Sequence, residues 1–353
     1  MNEKLILKED VLGSTTLSEV MLPIIEQLSR DKKFSAVRTY SCVLRSFTKF
    51  VVEVPEETLS VTGIQEADAP FVSTLVVGEV FQAGRLKEYE EWLRGRKLSW
   101  NTVSTYMRTL HAVYNRLIDA GTVGYNSKLF DDVYTKVESR TKRALTNEQM
   151  HALLSADINT LPEPLQCVLA YFLLTFLFRG MPFIDLAHLQ KRDVKGNAIT
   201  YCRHKTGCQI TLRIPREAQA LLKKCRSANS DSIYMFPIMN AEKGQDENLK
   251  KNEETLYNRY LRALRNYNKQ LTKVAALLLP DVKLSSYTPR HTWATLAFYR
   301  GTSVGIISKA LGHSSSKVTE IYLKPFEDEK VDAANDELIA MLMKGSKMMS
   351  FYR

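Results

Sequence analysis

The sequence has no apolar run long enough to cross a membrane. Its longest, CVLAYFLLTFLF at Cys167–Phe178, is about a dozen residues, where a spanning helix needs roughly 20. It reads as a buried core helix that ends at Arg179. The opening MNEKLILKEDVLGS lacks the apolar core and small cleavage-site residues of a signal peptide, which predicts a cytoplasmic protein with no membrane partner. Cysteine is scarce as well. The five present (Cys42, Cys167, Cys202, Cys208 and Cys225) are odd in number and form no CxxC pair, against both a disulfide framework and a zinc site. The scarcer charge is the negative one: 39 Asp and Glu stand against 49 Lys and Arg, a formal net charge of +10. That balance favours a polyanionic partner, nucleic acid or an anionic membrane surface.

What is present is ordinary globular material: 353 residues, 44% apolar and 25% charged, enough for about two domains with cores of their own. In SAVRTYSCVLRSFTKFV (35–51), Val37, Tyr40, Leu44, Phe47 and Val51 recur at helical spacing behind a possible Ser35 cap, with Arg38, Arg45 and Lys49 on the other face. SWNTVSTYMRTLHAVYNRLI (99–118) repeats the design. Val103, Met107, Leu110, Tyr114 and Leu117 point inward, and Ser104, Arg108 and Asn115 outward. Residues 1–134 are thus expected to form a helical bundle with basic faces. TKVESRTKRALTN (135–147) has no apolar periodicity and carries Lys142 and Arg143; it reads as a basic linker that can follow phosphates. In 148–353, period-two alternation in AITYCRHKTGCQITLRI (198–214) marks a β-hairpin with Lys205 at its tip. Helical patterns flank it, including 256–269, 288–301 and 302–313, with Pro289 early in the second and Gly312 ending the third. The fold class that follows is mainly α, with a small antiparallel sheet in the second domain.

Chemistry concentrates in that second domain. Arg290 lies in a helix first turn, where free N–H groups already favour an anion. His313 ends the next helix, and the serines of LGHSSSKVTEIYL (311–323) can cap a short helix carrying Tyr322. Arg179 closes the apolar helix. The set is two arginines, a lysine, a histidine and a tyrosine, with no carboxylate pair, metal-ligand spacing or phosphate-cradling glycine loop, so neither metal nor cofactor is expected. Such a set suits attack by a phenolic oxygen on a phosphodiester. Guanidinium forks bind the non-bridging oxygens in pairs, and an ammonium can protonate the leaving alkoxide.

TPRHTWATLA (288–297) followed by LGHSSSKVTEIYL resembles the motifs of the tyrosine recombinases, also called the phage integrase family, and the resemblance extends over nearly the whole chain. It implies a core-binding domain, a linker and a catalytic domain. It implies further that Arg179 and Arg290 clamp the phosphate, that Lys205 is the general acid, that His313 is the hydrogen-bonding histidine, and that Tyr322 is the nucleophile of a 3′-phosphotyrosyl intermediate. The sequence departs from the usual pattern twice: Tyr287 stands where the family has histidine, and Asp185 follows Arg179 about three residues later than is usual. Both are expected to support the site, Asp185 as an orienting carboxylate. The partner implied is double-stranded DNA with inverted-repeat recombination sites, bound by four protomers on two sites and by a monomer or weak dimer when free, in the nucleoid. The first helix begins near the N-terminus, which leaves little room for an additional arm-binding domain. Two other functions use the same residues: a type IB-like topoisomerase, and a binding-only regulator with a relic site.

Overall fold

A computed structural model describes residues 15–52, 76–138, 144–239, 253–313, 315–320 and 328–343. The chain divides into two units, Met1–Ser139 and Arg140–Arg353. Among the described residues no helix is long and apolar enough to cross a membrane.

Among the described residues the regular elements of the first unit are helices: α1 (Leu17–Arg30), α2 (Phe34–Val52), α3 (Val77–Val80), α4 (Ala83–Gly95) and α5 (Trp100–Asp119). Thr16 and Glu19 form a capping box at the start of α1, and the Ser99 hydroxyl caps α5, each satisfying N–H groups that a helix end leaves over. The core joins Met21, Leu44, Phe47, Leu86, Tyr89, Leu93, Met107 and Leu110. Phe47 and Tyr89 lie 4.6 Å apart by ring centroids. Two sequence expectations need correction. Ser35 does not cap α2, which already starts at Phe34. Ser104 is buried rather than outward, because α5 packs on both α2 and α4, so its covered face is wider than a single apolar stripe.

The second unit opens with α6 (Asn147–Ser155), whose capping box joins Thr146 and Gln149. Leu145 is already buried in this unit's core, and its N–H donates to the Thr292 hydroxyl at 3.0 Å. The apolar run becomes α7 (Glu163–Leu177), buried without interruption from Val168 to Thr175, as a helix packed on several sides requires. After α8 (Phe183–His188) comes a three-stranded antiparallel sheet of β1 (Val194–Lys195), β2 (Ala198–Cys202) and β3 (Gln209–Arg213) in the order β1-β2-β3. The β2–β3 register runs from Ala198 opposite Arg213 to Cys202 opposite Gln209, so the expected hairpin is present. β1, at two residues, is too short to show a period. The helices α9 (Arg216–Cys225), α10 (Glu253–Leu278), α11 (Thr288–Tyr299), α12 (Val304–Leu311), α13 (Ser316–Glu320) and α14 (Asp328–Met343) follow. α10 runs well past the 256–269 expected, with Leu271, Val274 and Ala275 buried on its added turns. The class is mainly α with one small antiparallel sheet, as the sequence indicates.

Candidate active site

Arg179 follows the end of α7 by two residues and adopts φ +58, and Gly180 after it φ +68. Two consecutive left-handed residues reverse the chain and let the Met181 N–H reach back to the Thr175 carbonyl at 3.0 Å, a Schellman-like closure. For arginine that conformation is uncommon and costs about 1–2 kcal/mol. At Gly180 the requirement is also spatial, since a Cβ there would sit 3.0 Å from the Arg290 Cα.

Arg290, in the first turn of α11, is 2% exposed. Its Nη1 donates to the Gly180 carbonyl at 2.7 Å, and its Nη2 donates to the Leu311 carbonyl at 2.7 Å and to His313 Nε2 at 2.8 Å. One guanidinium therefore ties the end of α7 to the end of α12. A guanidinium only donates, so His313 Nε2 is an acceptor and the ring is neutral, with its hydrogen on Nδ1. That assignment follows from the bonding partners. Nδ1–H then donates to the Thr319 hydroxyl at 2.8 Å. Burial, followed by the charges of Arg290, Arg203 and Lys205, holds the imidazole pKa down at about 4. His313 itself follows Gly312, whose φ of +64 closes α12.

Lys205 sits in the turn between β2 and β3 and is exposed; its charge is felt at His313. Asp185, on α8, is buried beneath this turn and accepts the His204 N–H at 2.9 Å. Burial raises its carboxyl pKa, against the pull of His204, Arg203 and Arg290. The later position of Asp185 in the sequence thus still brings it to the hairpin. Tyr287 is the N-cap residue of α11, 43% exposed, with its ring 6.3 Å from that of His291. Tyr322 lies outside the described residues, which resume the count only to Glu320 on α13. Lys142 and Arg143 lie outside them too. Of the other basic candidates, Arg38 and Arg108 are exposed, and Arg45 and Lys49 half-buried, all on α2 and α5 of the first unit.

Three residues of this cluster were not anticipated. Tyr201, on β2, is buried among Asp185, Arg290, Arg203 and Arg179, and burial raises its phenol above the usual range. Thr319 is fully buried against His313. Arg203 is 3% exposed and its Nη1 donates to the Gly312 carbonyl at 2.6 Å. Strand alternation could have found Tyr201 and Arg203, since Ile199 and Tyr201 share one face of β2, Arg203 continues that alternation one residue past its end, and all three are buried. Among the described residues no group of three or more His, Cys, Asp or Glu is placed to hold a metal ion.

The Phage integrase family matches residues 143–329, more than half of the chain. The chain is similar to a tyrosine recombinase of Thermosipho africanus (strain TCF52B), 22% identical over 306 residues that cover 82% of this chain and 98% of the relative. Its fold is similar to that of a lambda integrase dimer bound to a COC′ core site, with TM-score 0.55 and 15% identity over 91% of this chain and 81% of that one. It is similar also to XerH site-specific recombinase bound to difH substrate in a pre-cleavage complex, with TM-score 0.56 and 15% identity over 91% of this chain and 86% of that one.

Proposed function

The chain belongs to the phage integrase family, and from that premise we propose that it is a site-specific recombinase that cuts and rejoins DNA through a 3′-phosphotyrosyl bond. In this reading Tyr322 attacks the scissile phosphate, Arg179 and Arg290 hold its non-bridging oxygens, Lys205 protonates the leaving 5′-oxygen, and His313 completes the clamp. The observation that carries the reading is the bonding of Arg290. One buried guanidinium joins the three segments that bear Arg179, His313 and, through Thr319, the helix that precedes Tyr322. The bonds to the Gly180 and Leu311 carbonyls and to His313 fix this guanidinium in one place, so its positive charge is preorganised beside the segments that carry the other candidates. A phosphate arriving there also opposes the cationic influence of Arg290, Arg203 and Lys205 on His313. It raises the imidazole's affinity for a proton as the substrate binds.

Asp185 supports the site by holding the His204 backbone beside Lys205. Tyr287, exposed at the α11 N-cap, supplies a phenolic hydrogen bond where the family usually has an imidazole. Arg38, Arg45, Lys49 and Arg108, with Lys142 and Arg143 of the linker, bind the phosphates of the flanking duplex. The partner is double-stranded DNA with inverted repeats, on which four protomers assemble across two sites. Support for that assembly comes from α14, where Leu338, Ile339, Met341 and Leu342 are each about half or more exposed. Such a Met-bearing apolar face suits a contact made and remade between protomers. The test is a supercoiled plasmid carrying two copies of the DNA that flanks the gene. Junctions joining the two copies, read by sequencing, are the expected product; relaxation of supercoils without such junctions would replace this reading with a topoisomerase.

A further inference from the structure

Arg203 holds an unusual position for a surface hairpin. It is the last paired residue before the four-residue turn that carries Lys205: its N–H donates to the Cys208 carbonyl at 2.9 Å, and its carbonyl accepts the Gly207 N–H at 2.8 Å. Its side chain turns inward, is 3% exposed, and donates from Nη1 to the Gly312 carbonyl at 2.6 Å, while the buried Nε–H has no hydrogen-bond acceptor among the described residues. Burying a guanidinium on so few bonds is costly. The contact is also close, because a Cβ on Gly312 would lie 2.7 Å from Ile210 Cδ1 and 3.2 Å from Arg203 Cδ. Both hairpin strands therefore rest on the peptide that leads into His313. Asp185 holds the other side of the same turn through the His204 N–H.

From this geometry we propose that Arg203 is a positioning residue. It fixes the root of the Lys205 turn to the Gly312–His313 corner, so that the proton donor and the phosphate clamp keep one register. The inference rests on the reading of Lys205 as general acid. In the step concerned, the Tyr322 Oη–P bond forms and the P–O5′ bond breaks. Lys205 gives its proton to O5′, and the phenolic proton of Tyr322 passes to water. When the turn loses its anchor, proton delivery to O5′ suffers first, while a leaving group that needs no proton is spared.

Nicked half-site duplexes of the site recovered from the plasmid assay, with either oxygen or sulfur at the 5′-bridging position, separate these effects. On oxygen DNA, Arg203→Met is expected to form the covalent adduct about 100-fold more slowly than the unmodified protein, and on sulfur DNA to come within roughly threefold of it, as a displaced catalytic group predicts. Lys205→Ala should show the same rescue, and Arg290→Ala should not. Should Arg203→Met melt too low to assay, Arg203→Lys, which keeps a charged donor, carries the test with a smaller loss and the same rescue by sulfur. Rescue of Lys205→Ala without rescue of either Arg203 variant overturns the inference alone. Absence of rescue in Lys205→Ala as well overturns the general-acid reading and the inference with it.

Discussion

The two units bury different things. In Met1–Ser139 the interior is apolar and aromatic, with Phe47, Phe50, Tyr89 and Trp92 joined in one cluster of ring contacts. Its one fully buried carboxylate, among the described residues, is Glu90, which pairs with Lys87 Nζ at 2.7 Å and accepts the Tyr134 N–H. In Arg140–Arg353 the core is equally apolar around α7, yet Asp185, Arg203 and Arg290 are all about as buried as that core. Charges leave water at a cost of several kcal/mol each, which hydrophobic residues of the same volume would avoid. The first unit is thus organised for stability and a basic exterior. The second gives up stability to bury charged side chains, the cations among which meet the reacting phosphate in the proposed function.

The largest expected effect belongs to the first unit. Phe47→Ala removes a fully buried ring from the aromatic cluster and should cost about 3–5 kcal/mol of that unit's stability. Differential scanning calorimetry should show the first unit's transition shifted and the second's unmoved. Next, Arg290→Ala should slow adduct formation by about 100-fold or more, roughly 2.7 kcal/mol or more in the barrier. It also leaves the Gly180 and Leu311 carbonyls without that donor, so the second unit should melt earlier while the first does not. Arg290 would then be shown to serve both packing and chemistry, a combination the comparison assigns to the second unit alone.

Acid provides a gentler contrast. Burial holds His188 and His313 at about 4, below the ordinary 6.5, so the folded unit resists a proton that the unfolded chain accepts. Their contribution to stability is complete above pH 6.5 and is lost as pH falls through about 4. Asp185 opposes this: its raised carboxyl keeps a proton more readily when folded, which restores part of the loss at the acid end. Melting of the second unit followed from pH 7 to pH 4 should therefore decline below pH 6.5, and His188→Gln should flatten the decline. The smallest effect is Tyr287→Phe. One exposed hydroxyl worth about 1 kcal/mol should lower the cleavage rate by roughly fivefold, measured on the same nicked duplex.

Much of this was legible because it is local. The left-handed Gly312 that closes α12 acts within one turn, and the β2–β3 alternation holds within five residues a strand. Ser104 reads as outward in the sequence yet is buried, because a helix packed on two sides hides positions that a one-sided pattern exposes. α10 runs longer than its sequence suggests because its added turns bury a narrow stripe, Leu271, Val274 and Ala275, among polar residues. In the site, residue types and spacing named the candidates but not their bonds. Arg290 reads as a residue open to phosphate, yet it is tied to Gly180, 110 positions away in the chain. Lysine at the hairpin tip carries the chemical signal of this stretch, and Arg203 shows only through the strand period that turns it inward with Tyr201.

In the proposed function the cations of the second unit serve a tyrosine, Tyr322, that holds DNA covalently. The most direct test is the SDS-stable adduct on a nicked duplex of the recovered site, formed by the full chain and by Tyr322→Phe. An adduct is expected with the unmodified protein, and none with Tyr322→Phe, which still binds the duplex nearly as tightly because phosphate contacts dominate that affinity. An adduct that persists in Tyr322→Phe would place the nucleophile elsewhere and contradict the account.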